Sequence, residues 1–154
     1  MISVDQIKKL RERTGAGVMD CRRALEETKG DEKKAVELLN KWGVEKAEKK
    51  ADRATHAGIV DSYIHAGGKV GVILEILCET DFVAKTDDFR DLSHEICLQI
   101  ASMGPKDVKA LLAQEYIRDP SLTIEKLVKQ VIGKLGENIT VSRFCRYQLG
   151  EKIV

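Results

Sequence analysis

The chain has 154 residues, of which 43% are hydrophobic and 33% charged, and its formal net charge is +1. This composition is typical of a soluble globular protein with a modest core, and the small net charge argues against a whole-surface nucleic-acid binder. No run of residues is long and apolar enough for a transmembrane helix, and no apolar secretory signal is visible. Four widely spaced cysteines without a CxxC pair argue against a zinc site or a disulfide scaffold and favour reduced thiols in the cytosol.

Three short helices are predicted in the first 43 residues. Ser3 and Gln6 form a capping box that begins the first helix, and the turn Thr14–Gly17 ends it. Lys29 and Gly30 end the second helix, and Asp31 caps the third. The glycine turn lacks the preceding strand and the downstream Lys-Ser/Thr of a phosphate loop, so an interhelical turn that needs positive φ is the favoured interpretation.

The rest of the chain predicts an α+β arrangement. Two strand patterns, Ala57–His65 and Lys69–Cys78, flank a glycine hairpin, and the second strand is expected to be buried on much of both faces. Amphipathic helices follow, the clearest between Ile124 and Leu135, and Ile139–Leu149 predicts a third strand. We therefore predict three segments: a helical domain at residues 1–43, a solvated helical linker at 44–55 and an α+β core at 56–154.

No catalytic or metal-binding constellation can be assembled from the sequence. The three histidines, His56, His65 and His94, have no ligand spacing, so surface or packing roles are favoured. Cys21 and Cys97 fall in helical patterns and are expected to be small core residues, whereas Cys145 fits the core or, less well, a sheet edge or subunit contact. We predict no catalytic residue, no metal site, no cofactor and no enzymatic activity.

Two groups of residues remain as candidates for binding a partner. The first group follows the second strand and consists of Thr80, Asp81, Phe82 and Val83. In one interpretation Thr80 or Asp81 caps the next helix and the Phe82 ring packs back against the protein. In the other, which fits equally well, the group is an exposed functional tip. Arginines around the glycine turn, together with Met19, fit an interface or a merely solubilising surface about equally.

Several segments resemble bacterial elongation factor Ts. Residues 11–25, RERTGAGVMDCRRAL, closely resemble the N-terminal signature of that family, and residues 78–85, CETDFVAK, resemble its second signature. Residues 134–139, KLGENI, and 143–147, RFCRY, resemble its C-terminal region. The similarity covers nearly the whole chain, and the two signatures stand in the expected order.

The resemblance implies a guanine-nucleotide exchange factor for elongation factor Tu. It implies an N-terminal three-helix module like a ubiquitin-associated (UBA) domain and a core with a three-stranded antiparallel sheet packed on helices. Asp81 and Phe82 would enter the partner beside its magnesium and phosphate site and promote GDP release, with Thr80 and Val83 fixing the turn. The contacts expected with the partner's nucleotide domain come from the N-terminal module, namely Arg11, Met19 and Arg22.

One departure from the family concerns length. Family members usually carry a longer stretch between the helix ending near Met103 and the segment that begins at Leu112, where this chain has only residues 104–111. Glu115 and Tyr116 also replace a usual Pro-Phe pair. Short members of the family are said to dimerise through their sheets, so the resemblance implies a homodimer in the cytoplasm, with no direct nucleic-acid or membrane contact. The alternative is a helical protein-binding module without exchange activity, and exposure of Phe82 is the feature that separates the two.

Overall fold

A computed structural model describes residues 1–152 of the chain. In chain order, its elements are α1 (Val4–Thr14), α2 (Val18–Glu27), α3 (Glu32–Glu48), β1 (Ala57–Ile64), β2 (Val70–Cys78), α4 (Asp81–Ala84), α5 (Asp87–Met103), α6 (Val108–Ala113), β3 (Glu115–Tyr116), β4 (Asp119–Thr123), α7 (Ile124–Leu135) and β5 (Ile139–Gln148). Strands β1, β2 and β5 form an antiparallel sheet with β2 in the centre. The predicted α+β class and three-stranded antiparallel sheet are confirmed.

The first three helices pack around a small apolar cluster of their own. The capping box at the start of α1 is present, because Ser3 Oγ accepts from the Gln6 N–H at 3.2 Å and Gln6 Oε1 accepts from the Ser3 N–H at 2.9 Å. Gly15 ends α1 at φ +68°, as the interpretation of the glycine turn required. The buried members of the cluster are Leu10, Cys21, Ala24, Leu25, Ala35 and Leu39.

Helix α3 is longer than the sequence predicted. It runs without interruption through Glu48, so the predicted linker at 44–55 begins inside a helix. Ala47 is 2% exposed and belongs to the apolar cluster of the sheet, because the last turns of α3 pack against α7. At this crossing Gly43 and Gly133 face each other with their backbones in contact: a Cβ built on Gly133 would lie 2.5 Å from the Gly43 Cα.

Replacing Gly133 by alanine is expected to lower the free energy of unfolding by about 1–3 kcal/mol, the usual cost of overpacking a tight site. The added methyl would also lie 2.6 Å from the Gly43 carbonyl oxygen, and backbone cannot move aside as a flexible side chain can. Urea denaturation measures the change. Lys126→Ala, on the exposed side of the same helix, is the control and should stay within about 0.5 kcal/mol. Equal midpoints for the two variants would contradict the close crossing.

The sheet buries one face and leaves the other open. Val72, Leu74, Ile76 and Cys78 of β2 are all at most 2% exposed, where α5 packs against the strand. Ile73, on the opposite face, is 53% exposed. Gly71, Glu75 and Leu77 on the same face are half-buried, so the expectation that β2 is buried on much of both faces is met only in part. Within residues 1–152, no second layer covers the outer face.

A β-bulge changes the alternation of side chains along β5. Val141 pairs with Ile76 and Arg143 pairs with Glu75, so Ser142 is the extra residue. Before the bulge the odd-numbered positions face the core, and after it the even-numbered positions do. Cys145 consequently lies on the outer face and is exposed. The favoured prediction that Cys145 is a core residue is wrong for this reason.

The segment between α6 and α7 forms a small ribbon of two short strands. Strands β3 and β4 pair, and the buried amide of Gln99 on α5 holds the ribbon. Gln99 Nε2 donates to the Glu115 carbonyl at 3.0 Å, and Gln99 Oε1 accepts from the Ile117 N–H at 3.0 Å. Within residues 1–152, no helix has both the length and the apolar character needed to cross a membrane.

Candidate functional site

The turn after β2 is a capped helix start. Thr80 has extended backbone at φ −131° and ψ 155°, and its side-chain oxygen accepts from the Val83 N–H at 3.4 Å. It thereby begins α4, which is only four residues long. Val83 and Ala84 are 9% and 4% exposed and attach this short helix to the core. The cap interpretation of Thr80 is correct.

The side chain of Phe82 points away from the protein. It is 86% exposed, and the neighbouring Asp81 is exposed as well. Of the two alternatives left open by the sequence, the one in which Phe82 packs back as a hydrophobic staple is therefore excluded. Burying a phenyl group contributes roughly 1.5–3 kcal/mol to folding, so an outward phenylalanine on an ordered turn forgoes that stabilisation. Single exposed apolar side chains are common on protein surfaces, so Phe82 is a candidate contact because it lies on an ordered, capped turn beside Asp81 and not because of its exposure alone.

A loop distant in sequence forms hydrogen bonds with the same turn. The carboxylate of Glu137, which follows α7, accepts from the Thr80 N–H at 2.9 Å and from the Thr80 hydroxyl at 2.7 Å. The next residue, Asn138, donates its N–H to Glu79 Oε1 at 2.8 Å. Burial, together with the charge of Glu137, raises the pKa of the Cys78 thiol, which donates to the Thr80 carbonyl oxygen at 3.1 Å. The sequence predicts no contact between Glu137 and Thr80, because no local pattern pairs residues 57 positions apart.

The three N-terminal candidates lie on the outside of the helical bundle. Met19 is 70% exposed and shares a shallow depression with Arg22. The guanidinium of Arg22 pairs with Glu26 at 2.8 Å, and its side chain is 57% exposed. Arg11 is exposed but does not line that depression. The structure thus brings Met19 and Arg22 together and places Arg11 separately.

A lysine of α7 links the two candidate regions. Lys134 Nζ lies 2.9 Å from Asp88 Oδ1, near the start of α5 and six positions after Phe82. The same side chain passes directly over Gly15, where a built Cβ would overlap the Lys134 Cε. The glycine turn that precedes Met19 and the helix that follows α4 are therefore neighbours in space.

The histidines do not form a reactive group. Nδ1 of His65 lies 3.0 Å from the Tyr63 hydroxyl, and the ring of His94 packs edge-on against the Tyr63 ring at 5.5 Å. Across residues 1–152, no three His, Cys, Asp or Glu side chains are placed to hold a metal ion.

Comparison with known proteins places the chain in a family. The family model described as Elongation factor TS matches residues 79–154. Elongation factor Ts of Thermoanaerobacter sp. (strain X514) is 41% identical over 99% of this chain and 97% of its own length. The chain belongs to the elongation factor Ts family. The corresponding protein of Thermotoga neapolitana is 42% identical, over 98% of each chain, and that of Carboxydothermus hydrogenoformans is 40% identical, over 98% of this chain and 90% of its own length.

This member of the elongation factor Ts family is shorter than those relatives. The alignment with the Thermoanaerobacter protein has 198 positions, whereas this chain has 154 residues. More than 40 aligned positions therefore have no counterpart here. That a shortened stretch lies at residues 104–111 stays a prediction from the resemblance.

The outer face of the sheet carries a group of exposed apolar side chains. The register places Ile73 of the central strand between Ser62 and Cys145, and Gly71 between Ile64 and Tyr147. The exposed apolar members of the face are Val60, Ile64, Ile73 and Tyr147. In a family member that has fewer residues than its relatives, this uncovered face is a second candidate surface.

A monomeric protomer, in which the outer face of the sheet is uncovered, is expected to react with a thiol reagent at Cys145 alone. Cys21, Cys78 and Cys97 are buried, and burial raises the pKa of all three, that of Cys97 to about 12. Few thiolates are therefore available at these three sites at neutral pH. Iodoacetamide labelling followed by peptide mass spectrometry checks this, with Cys145→Ser as the control that should abolish rapid labelling. Rapid native labelling at any other cysteine would contradict the described burial.

Proposed function

We propose that this chain acts in translation elongation as a guanine-nucleotide exchange factor for elongation factor Tu. The observation that carries the proposal is the outward Phe82 next to Asp81, held on a capped and anchored turn. Family membership supports the same assignment, because relatives about 41% identical over nearly the whole chain are named elongation factor Ts. The chain contributes no acid, base or nucleophile to such a reaction, since GDP release breaks no covalent bond.

In the proposed mechanism, the tip formed by Asp81 and Phe82 enters the partner's nucleotide site and weakens the binding of GDP there. A magnesium ion bridges phosphate oxygens to protein ligands, so a wedge that disturbs its coordination removes a large electrostatic contribution to GDP binding. The exchange factor must bind the nucleotide-free partner more tightly than the GDP complex, because equal affinity for both would shift no population. By reciprocity, GDP weakens the binding of the exchange factor by the same factor.

The N-terminal helices are proposed to be a second contact with the partner. We assign α1 to α3 to a UBA-like module in which Arg11, Met19 and Arg22 meet the partner's nucleotide domain. Exposure of Met19 beside Arg22 supports this assignment, because a flexible apolar side chain next to a guanidinium is common at protein interfaces. The division into a module at 1–43, a connection at 44–55 and a core at 56–154 is kept as part of the proposal.

The chain is further proposed to be a homodimer through the outer face of its sheet, working in the cytoplasm and binding neither nucleic acid nor a membrane. The exposed apolar face around Ile73 and the shorter chain support dimerisation. An isologous dimer would cover that face with its own copy.

Release of a fluorescent GDP analogue from elongation factor Tu tests the proposal. The unmutated chain should accelerate release by orders of magnitude at micromolar concentration. Binding without acceleration would favour the alternative, a helical protein-binding module. The exposed Phe82 argues against that alternative, because a module that docks only through its helices has no use for an outward ring on the core.

A further inference from the structure

The carboxylate of Glu137 accepts hydrogen bonds from both donors of Thr80, the backbone N–H and the side-chain hydroxyl. Its Oε1 accepts from the Thr80 N–H at 2.9 Å, and its Oε2 accepts from the Thr80 hydroxyl at 2.7 Å. The hydroxyl is thereby oriented so that its lone pairs remain available to the Val83 N–H, which donates to it at 3.4 Å. One carboxylate thus sets the backbone and the side chain of the residue that begins α4.

The loop that carries Glu137 is itself fixed at several points. Gly136 ends α7 with a left-handed φ of +79°. Asn138 is 6% exposed, and its amide donates to the carbonyl of Arg53 at 2.8 Å and to that of Ala51 at 3.3 Å. The Glu137 side chain therefore extends from the end of a twelve-residue helix that is tied to the segment before β1.

The turn needs such an external support because α4 cannot supply it. A helix of four residues makes too few internal hydrogen bonds to be stable alone. Phe82 is 86% exposed and makes little contribution to holding the turn, so the anchors are Val83 and Ala84 below and Glu137 beside it. Without Glu137, the Thr80 N–H has no protein partner and its hydroxyl can rotate away from the cap.

We propose that Glu137 is a positioning residue that holds Asp81 and Phe82 in a fixed outward orientation. This inference rests on the exchange function proposed above, because it concerns how the tip is presented to the nucleotide site of the partner. Glu137 touches neither nucleotide nor magnesium in this proposal; it acts through Thr80. If Asp81 and Phe82 are free to change orientation, they are no longer held in the productive geometry. Small displacements of such groups can reduce a reaction rate steeply, so the rate of GDP release should fall.

The test compares two substitutions of Glu137 in the GDP-release assay over a range of concentrations. Glu137→Ala removes both acceptors and should lower the maximal stimulated rate on the order of tenfold. The half-saturating concentration should change less than about threefold, because the N-terminal contacts remain. Glu137→Gln should retain most of the rate, since its amide oxygen can accept from the Thr80 N–H and its amide nitrogen can donate to the hydroxyl. Glu125→Ala, in the first turn of the helix that precedes Glu137, removes a carboxylate that pairs with Lys129 and is the matched control.

A second arm asks whether Glu137 acts through the tip. In a chain that already carries Asp81→Ala and Phe82→Ala, adding Glu137→Ala should change the rate less than twofold, because there is no tip left to position. An equal loss in both backgrounds would overturn the proposal and indicate a general structural role. If Glu137→Ala does not fold, Glu137→Asp replaces it: the shorter side chain keeps the charge but cannot reach both donors, and it should give a smaller loss of maximal rate.

The failure of this inference is distinct from the failure of the proposed function. If the unmutated chain stimulates release and folded Glu137→Ala or Glu137→Asp does so equally well, the positioning role is rejected and the exchange function stands. If the unmutated chain does not stimulate release, both are rejected.

Discussion

Replacing both Asp81 and Phe82 by alanine is expected to reduce the GDP release that this chain stimulates from elongation factor Tu on the order of a hundredfold. Central aromatic contacts at interfaces cost about 2–4 kcal/mol when truncated, which corresponds to roughly 30- to 1,000-fold. The fold should be unaffected, because Phe82 is 86% exposed and Asp81 is also exposed. Stopped-flow release of a fluorescent GDP analogue measures the rate, and circular dichroism measures the melting temperature.

A matched control exists at the start of α1. Val4 is 79% exposed and is followed by Asp5, so Val4→Ala with Asp5→Ala removes an outward apolar group and a carboxylate elsewhere on the surface. This control should leave stimulation within about twofold, as surface substitutions usually do. The single variants Phe82→Ala and Asp81→Asn then divide the effect between wedge and charge. Full stimulation by the folded double variant would reject the tip as the acting element.

Replacing Ile73 by arginine is expected to convert the proposed homodimer to a monomer. In an isologous dimer the substitution appears twice, so two guanidinium groups would be buried in one apolar contact. Burying unpaired charge costs several kcal/mol, and the dissociation constant should rise at least a thousandfold. Ile73 is 53% exposed in the single chain, so the protomer should still fold. Analytical ultracentrifugation at micromolar concentration measures the state of association.

Met103 provides the control for this experiment. It is also 53% exposed, and it lies at the end of α5 rather than on the sheet. Met103→Arg should leave the sedimentation coefficient unchanged. A monomeric unmutated chain would reject the dimer, whereas a dimer that survives Ile73→Arg would place the interface on another surface.

Local signals were sufficient for most of the fold. The capping box at Ser3, the glycine hairpin between β1 and β2 and the apolar stripe of α7 each depend on neighbours in sequence, and each is confirmed. Cys21 and Cys97, which lie in helical patterns, are buried as expected. The three-stranded sheet was also predictable, because three strand patterns with one mainly apolar face require mutual pairing to satisfy their backbones.

The remaining features depend on contacts that a sequence pattern does not contain. Alternation counted from Ile139 and Val141 puts Cys145 in the core, and only the bulge at Ser142 reverses its direction. The two hydrogen bonds between Thr80 and the Glu137 carboxylate join loops that are far apart in sequence, and no local sequence pattern predicts such a contact. The direction of Phe82 depends on how α4 lies on the core, where Val83 and Ala84 are the buried residues of that short helix.

Helix α3 connects the two apolar clusters of the molecule rigidly. Its seventeen residues span about 25 Å at 1.5 Å per residue, with Leu39 in the apolar cluster of the first helices and Ala47 in that of the sheet. One stiff rod therefore joins both clusters, where a loose tether would let them tumble independently. In the proposed complex, a partner held at one end would meet the other end already aligned, so the second contact would cost less rotational freedom. In this respect the protein would bind as a chelating ligand does, with an affinity greater than that of two separate weak contacts.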